Sequence, residues 1–215
     1  MVYARPIPTA NDDQVRALLT RYNCPVPYHA VRTRFLGSIA SPNLSASPLS
    51  TAQGLWDDRW PVLESVEAIN ELVGALINGL WNSLTRHENH SEPFRLISLP
   101  IEATVSSLRK NALTRQQELD GFIEGLFNGA DDLALPKGAA RAVERLAEAR
   151  MTLAGIQALV SDHEIRGGQD DLIATARHVQ QMTSVLEREI HTAVTECTRA
   201  RRILLRTPCF AGKLH

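Results

Sequence analysis

Between Asp170 and Arg206 the residues Leu172, Ala176, Val179, Thr183, Leu186, Ile190, Ala193, Cys197, Ala200 and Leu204 recur in alternating steps of four and three. This is the spacing of a heptad seam on a helix, and a strand cannot use it. At about 1.5 Å per residue such a helix is roughly 50 Å long. It must serve as the spine of the fold or as an edge that meets another chain. Several seam positions hold the small residues Ala, Thr and Cys, which favour close packing inside the molecule over a free-standing coiled coil.

The rest of the chain carries helical spacing too. Val15, Leu18, Leu19 and Tyr22 mark a helix from Asp12 capped by Asn11, which "CPVP" at 24–27 stops. Val31, Phe35, Leu36 and Ile39 mark a second helix over 28–40. Ser47 followed by Pro48 reads as a cap and first-turn proline opening a short helix to Trp56. After Ser65, the stripe Ile69, Leu72, Val73, Leu76, Ile77, Leu80, Trp81 and Leu84 is broad enough for a central helix. "PFRLISLP", bracketed by Pro93 and Pro100, reads as extended, and one short strand makes no sheet. A modest helix over 101–111 is expected next, then a new one from Thr114, whose Gln117 completes a capping-box pattern. Gly129 stands where that helix would end in a left-handed residue. Pro136 opens another, carrying Val143, Leu146, Ala147, Met151, Leu153 and Ala154 and broken by "RGG" at 166–168.

Two segments carry glycine inside helical spacing: "ELVGALINGLWN" at 71–82 and "ELDGFIEGLFNGA" at 118–130. The register that keeps the buried face continuous lays Val73, Leu76, Ile77, Leu80 and Trp81 on Leu119, Phe122, Ile123, Leu126 and Phe127. Ala75 and Gly79 then match Gly121 and Gly125. Each interior glycine costs about 0.5 to 1 kcal/mol relative to alanine, a cost most simply offset where small faces let two helices approach closely. Gly74, Gly79, Gly121 and Gly125 are therefore expected to be packing glycines, with helices 66–86 and 115–128 side by side as pseudo-equivalents.

The residues Glu118, Leu119, Gly121, Phe122, Gly125, Leu126 and Gly129 resemble the helical signature of YecA-like proteins, a bacterial all-α group. The resemblance covers 118–130 and implies a compact helical fold. The cysteine-rich zinc motif of the longer family members is not found here, so no metal role is implied.

Composition removes several function classes. Lys and Arg number 23 against 24 Asp and Glu, so no global field draws the molecule to nucleic acid or an anionic membrane, and either would need a local patch. Cys24, Cys197 and Cys209 lack paired spacing, which suggests reduced thiols. The N-terminal stretch lacks the apolar run of a secretion signal. The longest apolar-rich run, 72–85, falls short of the roughly 18 to 20 residues of a membrane span. A cytoplasmic protein with no membrane contact is expected.

Candidate chemistry is sparse. In "RHENHSE", His87 and His90 lack the i, i+4 spacing of helical metal ligands, and a solvated helix end with Arg86 and His87 near the C-terminal dipole explains them without a metal. An anion or ligand pocket of Arg86, His87 and Arg95 beside Trp81 is the alternative. Glu187 and His191 are one turn apart and Cys197 follows, inviting a thiol nucleophile. Cys197, however, falls on the seam, where a buried inert thiol is expected, and about 9 Å of helical rise separates it from His191. Arg199, Arg201, Arg202 and Arg206 form the densest basic run. Favourable dipole and snorkelling effects account for them structurally, and nucleic-acid contact is the functional alternative, with no aromatic platform beside it.

The expectation is an all-α, compact multi-helix bundle of about seven helices in a single domain, 1–215, with an irregular arm at 1–10 and a tail at 207–215. No catalytic residue, metal or cofactor is expected. The chain reads as noncatalytic and acting through protein contacts, with a protein partner or its own copies. Nucleic-acid binding by the C-terminal arginines, or a ligand or enzyme site at Arg86–Arg95, are the alternatives.

Overall fold

A computed structural model describes residues 12–130, 132–161 and 168–206. Helices make up 75% of the chain and no strand occurs among the described residues, which makes the fold all-α. The elements are α1 (Asp12–Arg21), α2 (Tyr28–Ala40), α3 (Pro48–Gln53), α4 (Val66–Val73), α5 (Asn82–Leu84), α6 (Val105–Phe127), α7 (Lys137–Ser161) and α8 (Gln169–Arg206). A π-helical stretch, Gly74–Trp81, joins α4 to α5, and a 3-10 turn, Thr85–Glu88, follows, so 66–88 is one unbroken helical run. The cap expected at Asn11, the arginine and first glycine of "RGG", and the terminal segments lie outside the described residues.

Local sequence places the helix starts. Ser47 accepts from the Ser50 amide in a capping box before Pro48, and Ser65 accepts from the Ala68 amide at 3.1 Å. Asn128 and Gly129 both take positive φ after Phe127, so the left-handed stop begins one residue before the expected Gly129. One boundary differs outright. α6 is a single helix from Thr104, which caps it by accepting from the Ser107 amide at 3.2 Å. Thr114 is buried in mid-helix, and Gln117 pairs with His29 at 2.8 Å instead of closing a capping box. Nothing between 105 and 127 breaks helical geometry, and Asn111 turns its amide to the carbonyls of Pro100 and Ser107 without interrupting the helix.

α2 is the buried centre, with Val31, Phe35, Leu36 and Ile39 in the core, and α6 is the helix it packs on most extensively. The glycines explain why. A Cβ on Gly121 would stand 2.5 Å from the Ala30 carbonyl oxygen, one on Gly125 would overlap the Arg34 carbonyl, and one on Gly37 of α2 would overlap the Phe122 carbonyl. The close approach expected of α6 is therefore real, but its partner is α2. The π-helical stretch packs on α1, α2 and α3 instead, so the pseudo-equivalent pair of helices is not formed. Gly74 has open space around it and Gly79 is buried. The likeness between the two segments reflects a shared apolar rhythm, whereas helix contact depends on a matching small face, and α2 supplies that face with Gly37.

α6, α7 and α8 pack in succession, and α8 also reaches α2 and the 3-10 turn. The heptad seam is buried from Ala176 through Cys197 apart from a partly covered Thr183, and it widens to include Met182, Glu189, Val194 and Thr198. Beyond Thr198 the burial ends, and Leu204 is 57% exposed.

The segment after Pro93 is extended without a sheet, so its backbone must find other partners. Phe94 is buried, with the Arg32 guanidinium over one face and the His87 ring edge-on at 5.3 Å. The Leu96 amide donates to Glu187 of α8 at 3.1 Å and the Ile97 amide to Glu118 of α6 at 2.9 Å. Arg115 ion-pairs with Glu118, donates to the Ile97 carbonyl at 2.7 Å and reaches Thr183 at 3.2 Å. Buried charges on α6 and the half-buried Glu187 of α8 thus replace a neighbouring strand.

Candidate functional site

The four residues of the expected anion pocket are each committed elsewhere. Trp81 packs edge-on against Phe35 at 5.6 Å. His87 lies in the core, where its Nδ1–H donates to the Glu92 carbonyl at 2.8 Å and burial holds its pKa below the ordinary value. Arg86 Nε contacts the His87 ring at 3.4 Å. Arg95 turns away to Glu187 at 2.5 Å. His87 and Arg95 brace the extended segment, and the four side chains do not converge on one site.

The thiol constellation is also dispersed. Glu187 is occupied by Arg95 and the Leu96 amide, and Cys197 is fully buried with its pKa pushed up to about 12, chiefly by burial. A thiol held protonated is a poor nucleophile. His191 instead lies against His90, ring centres 5.3 Å apart, with its Nδ1 buried and unpartnered. Burial first, then His90, lowers the His191 pKa. Among the described residues no three His, Cys, Asp or Glu side chains gather closely enough to hold a metal ion, and no helix is long and apolar enough to cross a membrane.

The C-terminal arginines divide into two kinds. Arg201 points inward, donating to the Ile39 carbonyl at the end of α2 at 2.5 Å and to Glu88 at 2.6 Å. Thr198 completes this knot at 3.4 Å from Glu88. Arg201 is therefore structural, which removes it from the expected nucleic-acid contacts. Arg199 points outward, 70% exposed, with Glu196 at 3.3 Å. Arg202 and Arg206 are exposed and form no ion pair among the described residues.

Arg199, Arg202 and Arg206 fall at steps of three and four and line one wall of a cleft of about 610 Å³, with Glu88, Asn89 and His90 on the facing wall. Glu88, the acid of the facing wall, is already neutralised by Arg201, so the cleft keeps an excess of positive charge. Ile203 lines it as well and is 59% exposed, and Leu204 and Leu205 beside it are 57% and 67% exposed. The arrangement offers guanidinium donors to carboxylates or phosphates next to uncovered aliphatic surface. Thr195 and Thr198 add hydroxyl groups to the lining.

Sequence reasoning found the arginines but not their division, because inward and outward guanidiniums three residues apart look alike in one dimension. Glu88 and His90 came into view only as metal candidates. No family model matches the chain, and comparison with curated proteins and with solved structures finds no match.

Proposed function

We propose that the protein is a noncatalytic binding module, acting through contact with another protein at the basic, partly apolar end of α8. One observation carries this reading. Ile203, Leu204 and Leu205 are exposed together at the end of α8, beside Arg202 and Arg206, which form no ion pair among the described residues. Uncovered aliphatic surface rimmed by charge is the usual mark of a protein-binding site, and arginine is among the residues enriched where such interfaces draw their energy. Nucleic acid would use the same arginines but has no use for three adjacent aliphatic side chains, and Arg201 is already spent. A YecA-like relationship fits the helical fold and adds nothing about the partner. Cys24 and Cys197 are free thiols, which suits the reducing setting of a cytoplasm.

A photo-activatable residue at Leu204, irradiated in the producing cell, tests the proposal. A covalent adduct with a protein chain is expected, and Arg202→Glu with Arg206→Glu should abolish it. An adduct that is sensitive only to nuclease, or none at all, overturns the reading.

A further inference from the structure

The start of α4 is the counterpart of the end of α8. Val62, Val66 and Ile69 are 92%, 65% and 43% exposed, and Val66 and Ile69 lie three apart on one face of the helix. They sit among acids: 57–71 holds Asp57, Asp58, Glu64, Glu67 and Glu71 against Arg59 alone. Glu71 already pairs with Arg21 at 3.0 Å, while Asp57, Asp58, Glu64 and Glu67 form no ion pair among the described residues. The stretch 199–206 holds four arginines and no acid. Each surface thus has exposed aliphatic residues and unmatched charge, of opposite sign.

The two surfaces cannot meet within one molecule. Residues 66–88 form an unbroken helical run whose far end, Glu88, is held against Arg201. The length of that run, roughly 30 Å at helical rise, separates the start of α4 from the end of α8.

We infer that the partner of the α8 end is a second copy of this chain, bound head to tail through the acidic, apolar start of α4. The inference rests on the protein-contact reading above and names its partner. Glu64 and Glu67 of one copy enter the cleft beside Arg199, Arg202 and Arg206 of the next, while Val62, Val66 and Ile69 cover Ile203, Leu204 and Leu205. A two-fold axis passing through either face would set like charge against like, so each contact joins the start of α4 in one copy to the end of α8 in another. Such contacts close when two copies exchange them reciprocally or when copies form a larger ring, and otherwise add into open chains. Exposed ion pairs are screened by salt, so assembly weakens as ionic strength rises.

Sedimentation of the full chain tests this directly. At low salt the average mass should climb above the monomer's 23.8 kDa with concentration and return to it at high salt. Arg202→Glu with Arg206→Glu, and separately Glu64→Lys with Glu67→Lys, should each be monomeric. Mixed together they should form a one-to-one pair that grows no further, because each retains the face the other lacks. All four substitutions in one chain should restore assembly. Circular dichroism checks that the variants fold, and the milder Arg→Gln and Glu→Gln pairs give the same reading if they do not. A wild type that stays monomeric, an arginine variant that still assembles, or a mixture that stays monomeric overturns the inference. If the Leu204 cross-link then goes to a different protein, the contact reading stands and the self-association falls.

Discussion

Gly125 of α6 lies so close to Arg34 of α2 that a Cβ there would overlap the Arg34 carbonyl oxygen and stand 2.8 Å from its carbon. Backbone cannot yield as a flexible side chain can, so the two helices would have to separate. Overpacking a well-filled site costs typically about 1 to 3 kcal/mol, more than the roughly 1 kcal/mol that alanine gains in helix propensity. Gly125→Ala should therefore lower the urea midpoint. Gly74→Ala, where a Cβ meets open space, should raise stability by about 0.5 to 1 kcal/mol. Equal effects at the two sites would disprove the close crossing of α2 and α6.

The arginines at 201 and 202 are neighbours in sequence with different duties. Arg201→Ala removes a charged donor from both Ile39 and Glu88, and hydrogen bonds to charged groups contribute about 1.5 to 3 kcal/mol each. Thermal melts should show a clear loss. Arg202→Ala should leave stability within about 0.5 kcal/mol, as expected of an exposed residue without such bonds, while reducing cross-linking from Leu204. If Arg202→Ala proves as destabilising as Arg201→Ala, the division of the arginines is wrong.

How much of this was legible in the sequence depended on range. The seam of α8, the cap at Ser47, the helix start after Ser65 and the extended segment after Pro93 follow from spacing and from residues within a turn of one another. The start of α6 was misplaced because Thr104 and Thr114 are both acceptable caps locally, and only burial of Thr114 in mid-helix decides between them. The glycine face was recognised but assigned the wrong neighbour, since Gly37 sits in α2 without a glycine companion to flag it. The bracing of Phe94, Leu96 and Ile97 by Arg32, Glu187 and Glu118 joins residues up to 91 positions apart, beyond the reach of any periodicity argument.

Glu187 and Arg95 form an ion pair whose halves should not be equivalent. Arg95 is 71% exposed, and a solvated partner of this kind adds only about 0 to 1 kcal/mol. Glu187 also accepts the Leu96 amide, which has no sheet to turn to. Glu187→Ala should cost about 1 to 3 kcal/mol for the orphaned donor, and Arg95→Ala much less. Faster exchange of the Leu96 amide in the Glu187 variant alone would identify the cause. Matching losses in the two variants would mean that the pair itself, not the backbone contact, holds the segment.

Acid should weaken the fold beginning near the ordinary histidine value. Burial, the largest cause in each case, holds His29, His87 and His191 below 6.5. A depressed histidine is neutral in the folded chain but takes up a proton in the unfolded one. Its contribution is therefore complete above 6.5 and is lost as pH falls from there through the folded value. Glu118 acts in the opposite sense: burial raises it above 4.5 despite Arg115, so its contribution is greatest below that value and declines as pH rises. The net midpoint in urea should fall as pH is taken from above 6.5 to about a unit below it. His87→Asn, which keeps an amide donor for the Glu92 carbonyl but cannot titrate, should fall less than wild type over the same interval. An identical fall in the two proteins would show that His87 gains no protection from its place behind Phe94.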